Sequence, residues 1–411
     1  MSQSLDIEIM TKLFKIQGYK AKSIEIEDKT GDIQISLEKV SRSNCKSCLF
    51  PHQRYDSSLQ KILIGVVLGK PVYALLKVYR IQCPVCGILT EPQTISEGKK
   101  RYSKAIGFDI IRYSRYLDTQ SLSKLFGLSQ STIYRIDRSV LEQLLTEYRK
   151  KLVAPNVISI DEVSHKRRHK YATVITAYEE AKVLWLENGR KGIDLKRGYH
   201  QFKGGVTHIK TVAMDFWKPY YNTTEEKISK AKIVFDRFHL SRILNRKIEE
   251  ERRSYQKKLS DKDRKHVKKH TRWVILKRKN RLTQKNKEYL EQLRKDNEPL
   301  YNLYLLKEDF LEIFDPKKSR KQAKDAIIKW KEVVSVTKYN KLKQFAKTVI
   351  QKMDTILNWF DEPISNAKSE GINNIIKTLL KRSYGFRDFE YFRMKVLQKC
   401  GNLMTFYPGE I

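Results

Sequence analysis

Three short apolar runs, each ending at an aspartate, constrain the fold of this chain most. They cover residues 157–161, 211–215 and 232–236. Runs of β-branched and other apolar residues predict buried strands, and an acid at the end of such a run lies at the edge of the sheet. An aspartate after a strand is also a common turn residue or helix N-cap, so any one of the three could be structural. Three in this order favour carboxylates that converge.

Basic residues outnumber acidic ones along the whole chain. The 411 residues contain 83 Lys and Arg against 47 Asp and Glu, a formal net charge of +36. Such an excess favours a polyanionic partner, most often DNA or RNA, and on charge alone a basic ribosomal or RNA-coating protein is the simplest alternative. A hydrophobic content of 40% supports a packed core and argues against a largely disordered chain. Acids converging within so basic a chain indicate metal ions that act on a phosphate backbone.

The chain shows no membrane or export signal. No segment approaches the roughly 20 apolar residues that span a bilayer. The first residues lack the apolar core of a signal peptide. We therefore expect a cytoplasmic protein with no membrane partner.

Four of the five cysteines form two close pairs, Cys45 with Cys48 and Cys83 with Cys86. Each pair directs two thiolates at one point, and two pairs complete a tetrahedral Zn²⁺ site. Gly87 permits the tight backbone turn that follows the second pair. The spacing predicts a structural zinc, because four thiolates leave no open position for catalysis; buried free cysteines are the alternative.

Residues 119–138 have the pattern of a helix-turn-helix. Gly127 provides the turn, and Ser129 is a good N-cap for the second helix. The apolar positions of both helices face the core, which leaves four second-helix side chains for a groove of DNA. These predicted DNA contacts are Gln130, Ser131, Tyr134 and Arg135. An ordinary helical hairpin is the alternative.

The segment from 156 to 236 predicts the order β-β-β-α-β-α-β, which is that of a ribonuclease-H-like fold. Further strands are expected at 171–178 and 182–187 and helices near 193–204 and 217–229. In that fold the first and fourth strands lie side by side, so acids at their ends share a metal. Phosphodiester chemistry uses two Mg²⁺ ions roughly 4 Å apart, held by carboxylates.

The third carboxylate is expected from a later helix. Glu370, Asn373, Asn374 and Lys377 stand three, four and seven residues apart, so they share one helix face. One acid, two amides and one base suit metal and phosphate. A solvated helix surface would produce a similar stripe, although less often with paired asparagines.

Taken together, these motifs resemble the DDE-type bacterial insertion-sequence transposases of the ISL-three family. The similar features are the paired-cysteine module, the helix-turn-helix, and short motifs at 160–162, 169–173, 189–190, 214–215, 236–239 and 365–393. They run through nearly the whole chain. The segment 365–393 and the cysteine module are the most specific of them.

The resemblance implies a DDE active site with two divalent metals, Mg²⁺ or Mn²⁺. Asp161 is the first acid, Glu370 the last, and Asp215 the favoured second acid, with Asp236 as the alternative. Accessory groups near the site are Asp236, His239, Asn373, Asn374 and Lys377. Lys381, Arg382 and Arg387 are expected to contact DNA phosphates.

The predicted fold class is multidomain α+β, with five segments. They are a β-rich zinc module at 1–100, the helix-turn-helix at 101–152, the first part of the catalytic core at 153–240, a basic all-helical insertion at 241–362, and the final helical part of the core at 363–411. The predicted function is cut-and-paste transposition by a homodimer on terminal inverted repeats and target DNA, associated with the bacterial nucleoid when DNA is bound. The alternatives are a ribonuclease-H-like nuclease without strand transfer and a zinc and helix-turn-helix regulator.

Overall fold

The computed structural model describes residues 14, 16–41, 45, 48, 53–91, 93–96, 100–166, 170–260, 270–364 and 367–406. The chain divides into two compact units, Met1–Lys150 with Leu379–Ile411, and Lys151–Thr378. The first division point lies close to the boundary predicted at 152. Residues 363–411 are divided between the two units, and the five-segment division stays a prediction.

A five-stranded sheet forms the first part of the N-terminal unit. Its strands are β1 (Tyr19–Ile26), β2 (Ile33–Lys39), β3 (Gln53–Val67), β4 (Lys70–Cys83) and β5 (Gly87–Thr90). The order is β1-β2-β4-β3, with β5 paired to β4. Alternating apolar residues such as Ile35, Ile62 and Ala74 point into one core cluster and are fully buried. The β-rich character predicted for this region is confirmed.

Three helices follow in the same unit: α1 (Lys104–Ser114), α2 (Thr119–Phe126) and α3 (Gln130–Lys151). Gly127 ends α2 with φ of 63°, a left-handed conformation that glycine adopts without strain. The Ser129 hydroxyl accepts a hydrogen bond from the Thr132 amide at 3.2 Å and so caps α3. Turn and cap therefore form as the sequence predicts.

The second unit contains a five-stranded sheet of strands β6 (Val157–Lys166), β7 (Lys170–Ala177), β8 (Lys182–Asn188), β9 (Thr211–Met214) and β10 (Lys232–Phe235). Helix α4 (Gly192–Tyr199) precedes β9, and α5 (Lys218–Lys227) precedes β10. The sheet order is β10-β9-β6-β7-β8, and β9 pairs in parallel with both β6 and β10. This is the predicted ribonuclease-H-like order, with the first and fourth strands adjacent.

One detail of the predicted sheet is wrong. The first apolar run does not end as a strand at Asp161, because β6 continues through Lys166 in antiparallel pairing with β7. The parallel partner is shorter, and its pairing with β6 ends at Ile160 opposite Met214. Asp161 therefore lies at the edge of the parallel part of the sheet although its own strand continues.

The predicted, nearly continuous helical region is a bundle of separate helices. They are α6 (Arg237–Gln256), α7 (Thr271–Leu276), α8 (Gln284–Asp296), α9 (Glu298–Ile313), α10 (Arg320–Val336), α11 (Asn340–Gln351) and α12 (Met353–Asp361). Phe310 is the centre of their core, with ring centroids 4.8 Å from Trp330 and 5.2 Å from Phe345. In the described part of the chain, no helix is long and apolar enough to cross a membrane.

Two further helices complete the chain, α13 (Ala367–Arg382) and α14 (Phe389–Cys400). The division between the units falls within α13, after Thr378. Residues 365 and 366 of the predicted catalytic segment, and most of the basic run at 166–170, lie outside the described residues. Within the N-terminal unit, α14 packs through a buried polar network that involves Asp137, Lys395 and Ser114.

Candidate active site

Asp161 and Asp215 occupy equivalent positions on two neighbouring parallel strands. Ile160 and Met214 form the last register pair of β6 and β9, and each aspartate is the next residue along its chain. Burial, with a smaller contribution from the negative charge of Asp215, raises the pKa of Asp161 to about 7. A carboxyl group held in this way favours a bound cation, which would compensate both charges.

Asp236 and His239 form a close group with Asp215. Asp215, Asp236 and His239 each offer a ligand atom within 4.8 Å of the others. His239 Nδ1 lies 3.0 Å from Asp215 Oδ2, and its Nε2 lies 3.9 Å from Asp236 Oδ2. Burial lowers the pKa of His239, but the hydrogen bond to Asp215 and the charges of the two carboxylates outweigh it, so the pKa is raised overall.

Asp236 has a structural role as well. Its Oδ1 accepts a hydrogen bond from the Phe238 amide at 3.0 Å and caps the N-terminus of α6. Its Oδ2 faces His239. Asp236 is therefore a helix N-cap, one of the structural roles that an aspartate after a strand can have. The same side chain also lies close to Asp215 and His239.

Helix α13 places the predicted third acid beside the sheet. Asn373 is buried and donates a hydrogen bond from Nδ2 to Asp161 Oδ2 at 2.7 Å. One turn earlier, Ser369 Oγ lies 2.9 Å from Ser159 Oγ of β6. Glu370 is exposed and lines the same cavity as Asp161 and Asp215. Two side-chain hydrogen bonds therefore hold the Glu370 turn against the strand that carries Asp161.

The cavity, of about 1080 Å³, brings most predicted site residues together. Its lining includes Asp161, Asp215, Asp236, His239, Glu370, Asn373 and Lys377. Asn374 shares the helix but is exposed and is not among the lining residues. Within the described residues, Glu370 is also not part of the close group formed by Asp215, Asp236 and His239.

Sequence reasoning missed several members of this cavity. Glu162 follows Asp161 and pairs with Arg190 at 3.2 Å. Arg242 stands three residues after His239, so helical spacing could have identified it. The helical insertion contributes Lys277, Arg278 and Arg281, for which no local pattern gives a signal. Basic side chains thus accompany the acids, as binding of a phosphate backbone requires.

The four paired cysteines converge in the N-terminal unit. Cys45, Cys48, Cys83 and Cys86 offer sulfur atoms that all lie within 4.8 Å of one another. Strand β4 ends at Cys83, and Gly87 follows with φ of 77°. The Cys86 amide approaches Cys83 Sγ at 3.4 Å and lowers the pKa of that thiol. A four-thiolate cluster of this kind fits a structural zinc.

The predicted DNA-reading side chains of α3 are not equivalent. Gln130, Ser131 and Arg135 are exposed. Tyr134 is half-buried, packs edge-on against Tyr391 at 4.8 Å, and accepts a hydrogen bond from Arg138 at 2.9 Å. Its ring is therefore committed to the packing of its own unit and is a poorer candidate for base contact.

The predicted phosphate contacts Lys381, Arg382 and Arg387 all belong to the N-terminal unit. All three are exposed. Arg382 donates a hydrogen bond to the Tyr116 carbonyl within that unit.

A ribonuclease-H-like sheet with acids at the edge of its parallel part is typical of enzymes that act on nucleic-acid backbones. A family model for DDE transposases of the ISL3 type, described as "Transposase", matches residues 158–396. Because this match covers more than half of the chain, the protein belongs to the ISL-three family of insertion-sequence transposases.

Two curated relatives agree with this assignment. The chain is 25% identical over 399 residues to the transposase for insertion sequence element IS1001 of Bordetella parapertussis, covering 95% of this chain and 98% of that protein. It is 24% identical over 257 residues to the transposase for insertion sequence element IS1557 of Mycobacterium tuberculosis, covering 56% of each. The predicted family membership is confirmed, and the family implies divalent metal use and DNA binding.

Proposed function

We propose that this protein binds the terminal inverted repeats of an insertion sequence and catalyses DNA cleavage and strand transfer with Asp161, Asp215 and Glu370. One observation carries the proposal. Asp161 and Asp215 follow the last register pair of adjacent parallel strands, and the helix of Glu370 is attached to Asp161 through Asn373 at 2.7 Å. All three acids line one cavity.

The donor set fits divalent cations that prefer oxygen ligands, Mg²⁺ or Mn²⁺. Asp161, Asp215 and Glu370 would hold them, with Asp236 and His239 adjacent to Asp215. Bound cations of this type activate an oxygen nucleophile and stabilise a leaving oxygen. Asn373 orients the Asp161 carboxylate, because its amide donates to Oδ2. We propose two cations per site.

Basic residues of the cavity support binding of the DNA backbone. Arg237, Lys277, Arg281 and Lys377 line it together with the acids. In the first reaction water cuts the strand at the element end, which frees a 3′-hydroxyl. In the second reaction that hydroxyl attacks a target phosphodiester, so one P–O bond forms as another breaks. The same acids serve both in-line displacements.

The N-terminal unit supports recognition of the element ends. Its exposed Gln130, Ser131 and Arg135 stand on the second helix of the helix-turn-helix and suit a DNA groove. The four-cysteine cluster would hold a structural zinc. We propose that the protein acts as a homodimer on paired element ends and that it is cytoplasmic. We also propose that the five predicted segments are its domains.

The test incubates the full-length protein with element-end DNA, a supercoiled target plasmid and Mg²⁺ or Mn²⁺. Asp161→Asn, Asp215→Asn and Glu370→Gln are expected to lower cleavage by at least about 10³-fold while end binding persists, because removing a metal ligand abolishes nucleophile activation. Glu180→Gln is the matched control, since this acid lies in an exposed turn outside the cavity. Normal cleavage by any of the three variants would refute the role of that residue.

The same assay separates the alternatives. Cleavage without joined products would identify a nuclease, and binding without cleavage would identify a regulator. Asp236→Asn is compared with Asp215→Asn to establish the second acid. If the Asp236 variant loses cleavage and the Asp215 variant keeps it, the assignment reverses.

A further inference from the structure

A second cavity adjoins the acidic one in the same unit. It has a volume of about 1210 Å³, larger than the roughly 300–1,000 Å³ of typical small-molecule pockets. The two cavities share Glu162, Asp215, His239 and Arg242. The two cavities are therefore direct neighbours, and a DNA strand whose phosphate lies at the acids has the second cavity beside it.

The second cavity is lined by different types of residue from the first. Its lining contains six aromatic and six basic side chains, and its two acids, Glu162 and Asp215, are both on the shared side. We call it the aromatic cleft and define it by Arg190, Trp217, Tyr221, Arg242 and Lys352. Away from the shared acids its charged side chains are all basic, and four of its rings, Tyr220, Tyr221, Phe235 and Phe345, are largely buried.

Trp217 is the most exposed ring of the aromatic cleft. It retains 38% of its surface and forms the N-cap of α5. Its indole N–H donates to the Arg190 carbonyl at 3.2 Å, and the Arg190 guanidinium lies 5.1 Å from its ring centroid. Arg190 also lies 4.0 Å from the Tyr171 ring centroid. The indole is thus held in place while much of its surface stays open.

Some cations of the cleft form no ion pair within the described residues. Arg190 pairs with Glu162 and Lys247 with Glu250. In the described part of the chain, no ion pair involves Lys218, Arg242 or Lys352. Lys352 instead lies 3.6 Å from the centroid of Tyr221. Lys218 and Lys352 are therefore available for phosphates, whereas the charge of Arg242 also acts on the carboxyl group of Glu162.

We propose that the aromatic cleft binds unpaired nucleotides of the DNA strand next to the phosphate held by the acids, with a base stacked on Trp217. This proposal rests on the function proposed above. Single-stranded DNA is bound by positive grooves whose aromatic side chains stack on bases. A paired base is covered by its neighbours, so an aromatic face in a concave cleft engages a base only after it leaves the stack.

The first measurement uses intrinsic tryptophan fluorescence of the full-length protein titrated with a short oligothymidylate, without added divalent cations. Of the five tryptophans, only Trp217 and Trp273 are substantially exposed, at 38% and 62%. Trp273 does not line either cavity. Quenching is expected to persist in Trp273→Phe and to be lost in Trp217→Phe. The reverse pattern would overturn the proposal.

The second measurement is the affinity of the labelled oligonucleotide at raised salt, where non-specific phosphate contacts weaken. Trp217→Ala is expected to weaken binding about tenfold, as loss of one base–aromatic stack predicts. Trp217→Phe, which keeps an aromatic face, is expected to stay within about threefold of the wild type. Equal affinities of Trp217→Ala and Trp273→Ala would overturn the proposal.

A cation of the cleft supplies an independent test that does not disturb Trp217. Lys352→Ala is expected to reduce the salt dependence of oligonucleotide binding by about 0.7 in the log–log slope, the value for one phosphate contact with a single strand. Lys347→Ala is the matched control, because Lys347 is exposed within α11, the helix that precedes Lys352, and lies outside the cleft. Identical slopes for both variants would contradict the proposal.

Different variants test the aromatic cleft and the acidic site separately. Asp161 does not line the aromatic cleft, so Asp161→Asn is expected to lose DNA cleavage and keep oligonucleotide binding. Cleavage by Asp161→Asn would refute the active-site assignment alone. Unchanged oligonucleotide binding by Trp217→Ala, in a protein that cleaves normally, would refute the aromatic cleft alone.

Discussion

Asp161 combines burial, a neighbouring acid and two hydrogen bonds in one side chain. The Glu162 amide and the Asn373 side chain both donate to its carboxylate at 2.7 Å. Burial and the charge of Asp215 nevertheless raise its pKa to about 7. The ionised form therefore costs folding free energy until a cation compensates it, as is common at functional sites.

The consequence for stability can be measured. An acid whose pKa is higher in the folded chain than its unfolded value near 3.9 holds its proton more tightly when folded, so the free energy of unfolding falls as pH rises from about 4 to about 7. Without added divalent cations, Asp161→Asn should therefore stabilise the protein by roughly 1–3 kcal/mol at pH 8 and by little near pH 4.

Thermal unfolding of both proteins across this pH range checks the prediction. Asp325→Asn is the control, because Asp325 is exposed on α10 of the same unit. A lower melting temperature of Asp161→Asn at pH 8 would show that its hydrogen bonds outweigh the cost of burial.

Among elements, helix α3 has two roles in one segment. Its first turn exposes Gln130, Ser131 and Arg135, and two turns into the helix Asp137 is buried. Lys395 of α14 donates to Asp137 Oδ2 at 3.2 Å and to the Ser114 carbonyl at 2.8 Å. The candidate DNA-reading helix is thus held by a buried ion pair.

Removing Lys395 from this buried ion pair should lower the free energy of unfolding of the N-terminal unit. Lys395→Met leaves the Asp137 carboxylate buried without its cation, so we expect destabilisation of the N-terminal unit by about 3–5 kcal/mol. Addition of Asp137→Asn should recover part of the loss, because no uncompensated charge remains. Hydrogen exchange of the α3 amides reports on this unit. Lys399→Met, one turn further along α14 and only half-buried, is the control.

The four paired cysteines lead to a prediction about the zinc content of the protein. Purified protein should contain about one equivalent of zinc, and chelation should release it and weaken end binding, since folding free energy at such sites depends on the metal. Atomic absorption and binding titrations are the measurements. Less than about half an equivalent of zinc in active protein would contradict a structural site.

For the whole molecule, the net positive charge is expected to determine how DNA binding depends on salt. With a net charge of +36, DNA binding should release many counterions, so affinity should fall steeply between low and moderate salt. Fluorescence anisotropy from 50 to 200 mM salt should show a loss of at least about tenfold. Asp161→Asn should show the same dependence, because it changes chemistry and not the basic surface. An affinity that does not change with salt would contradict this account.

Local patterns in the chain determined the elements. Apolar runs predicted the strands of the ribonuclease-H-like sheet. Gly127 and Ser129 predicted the turn and the N-cap of the helix-turn-helix. The spacing of the cysteine pairs predicted that their four sulfur atoms lie close together. Each of these features depends on residues that are close in sequence or on a spacing with one geometric solution, so periodicity and turn chemistry are sufficient.

Only the tertiary structure determined which side chains meet around the acids. The hydrogen bond from Asn373 to Asp161 joins residues 212 positions apart, and Arg281 reaches the acidic cavity from a separate helical insertion. Asp236 is both helix cap and neighbour of His239, and Tyr134 packs inside its own unit. No local pattern encodes such contacts, because they arise from packing between elements that are distant along the chain.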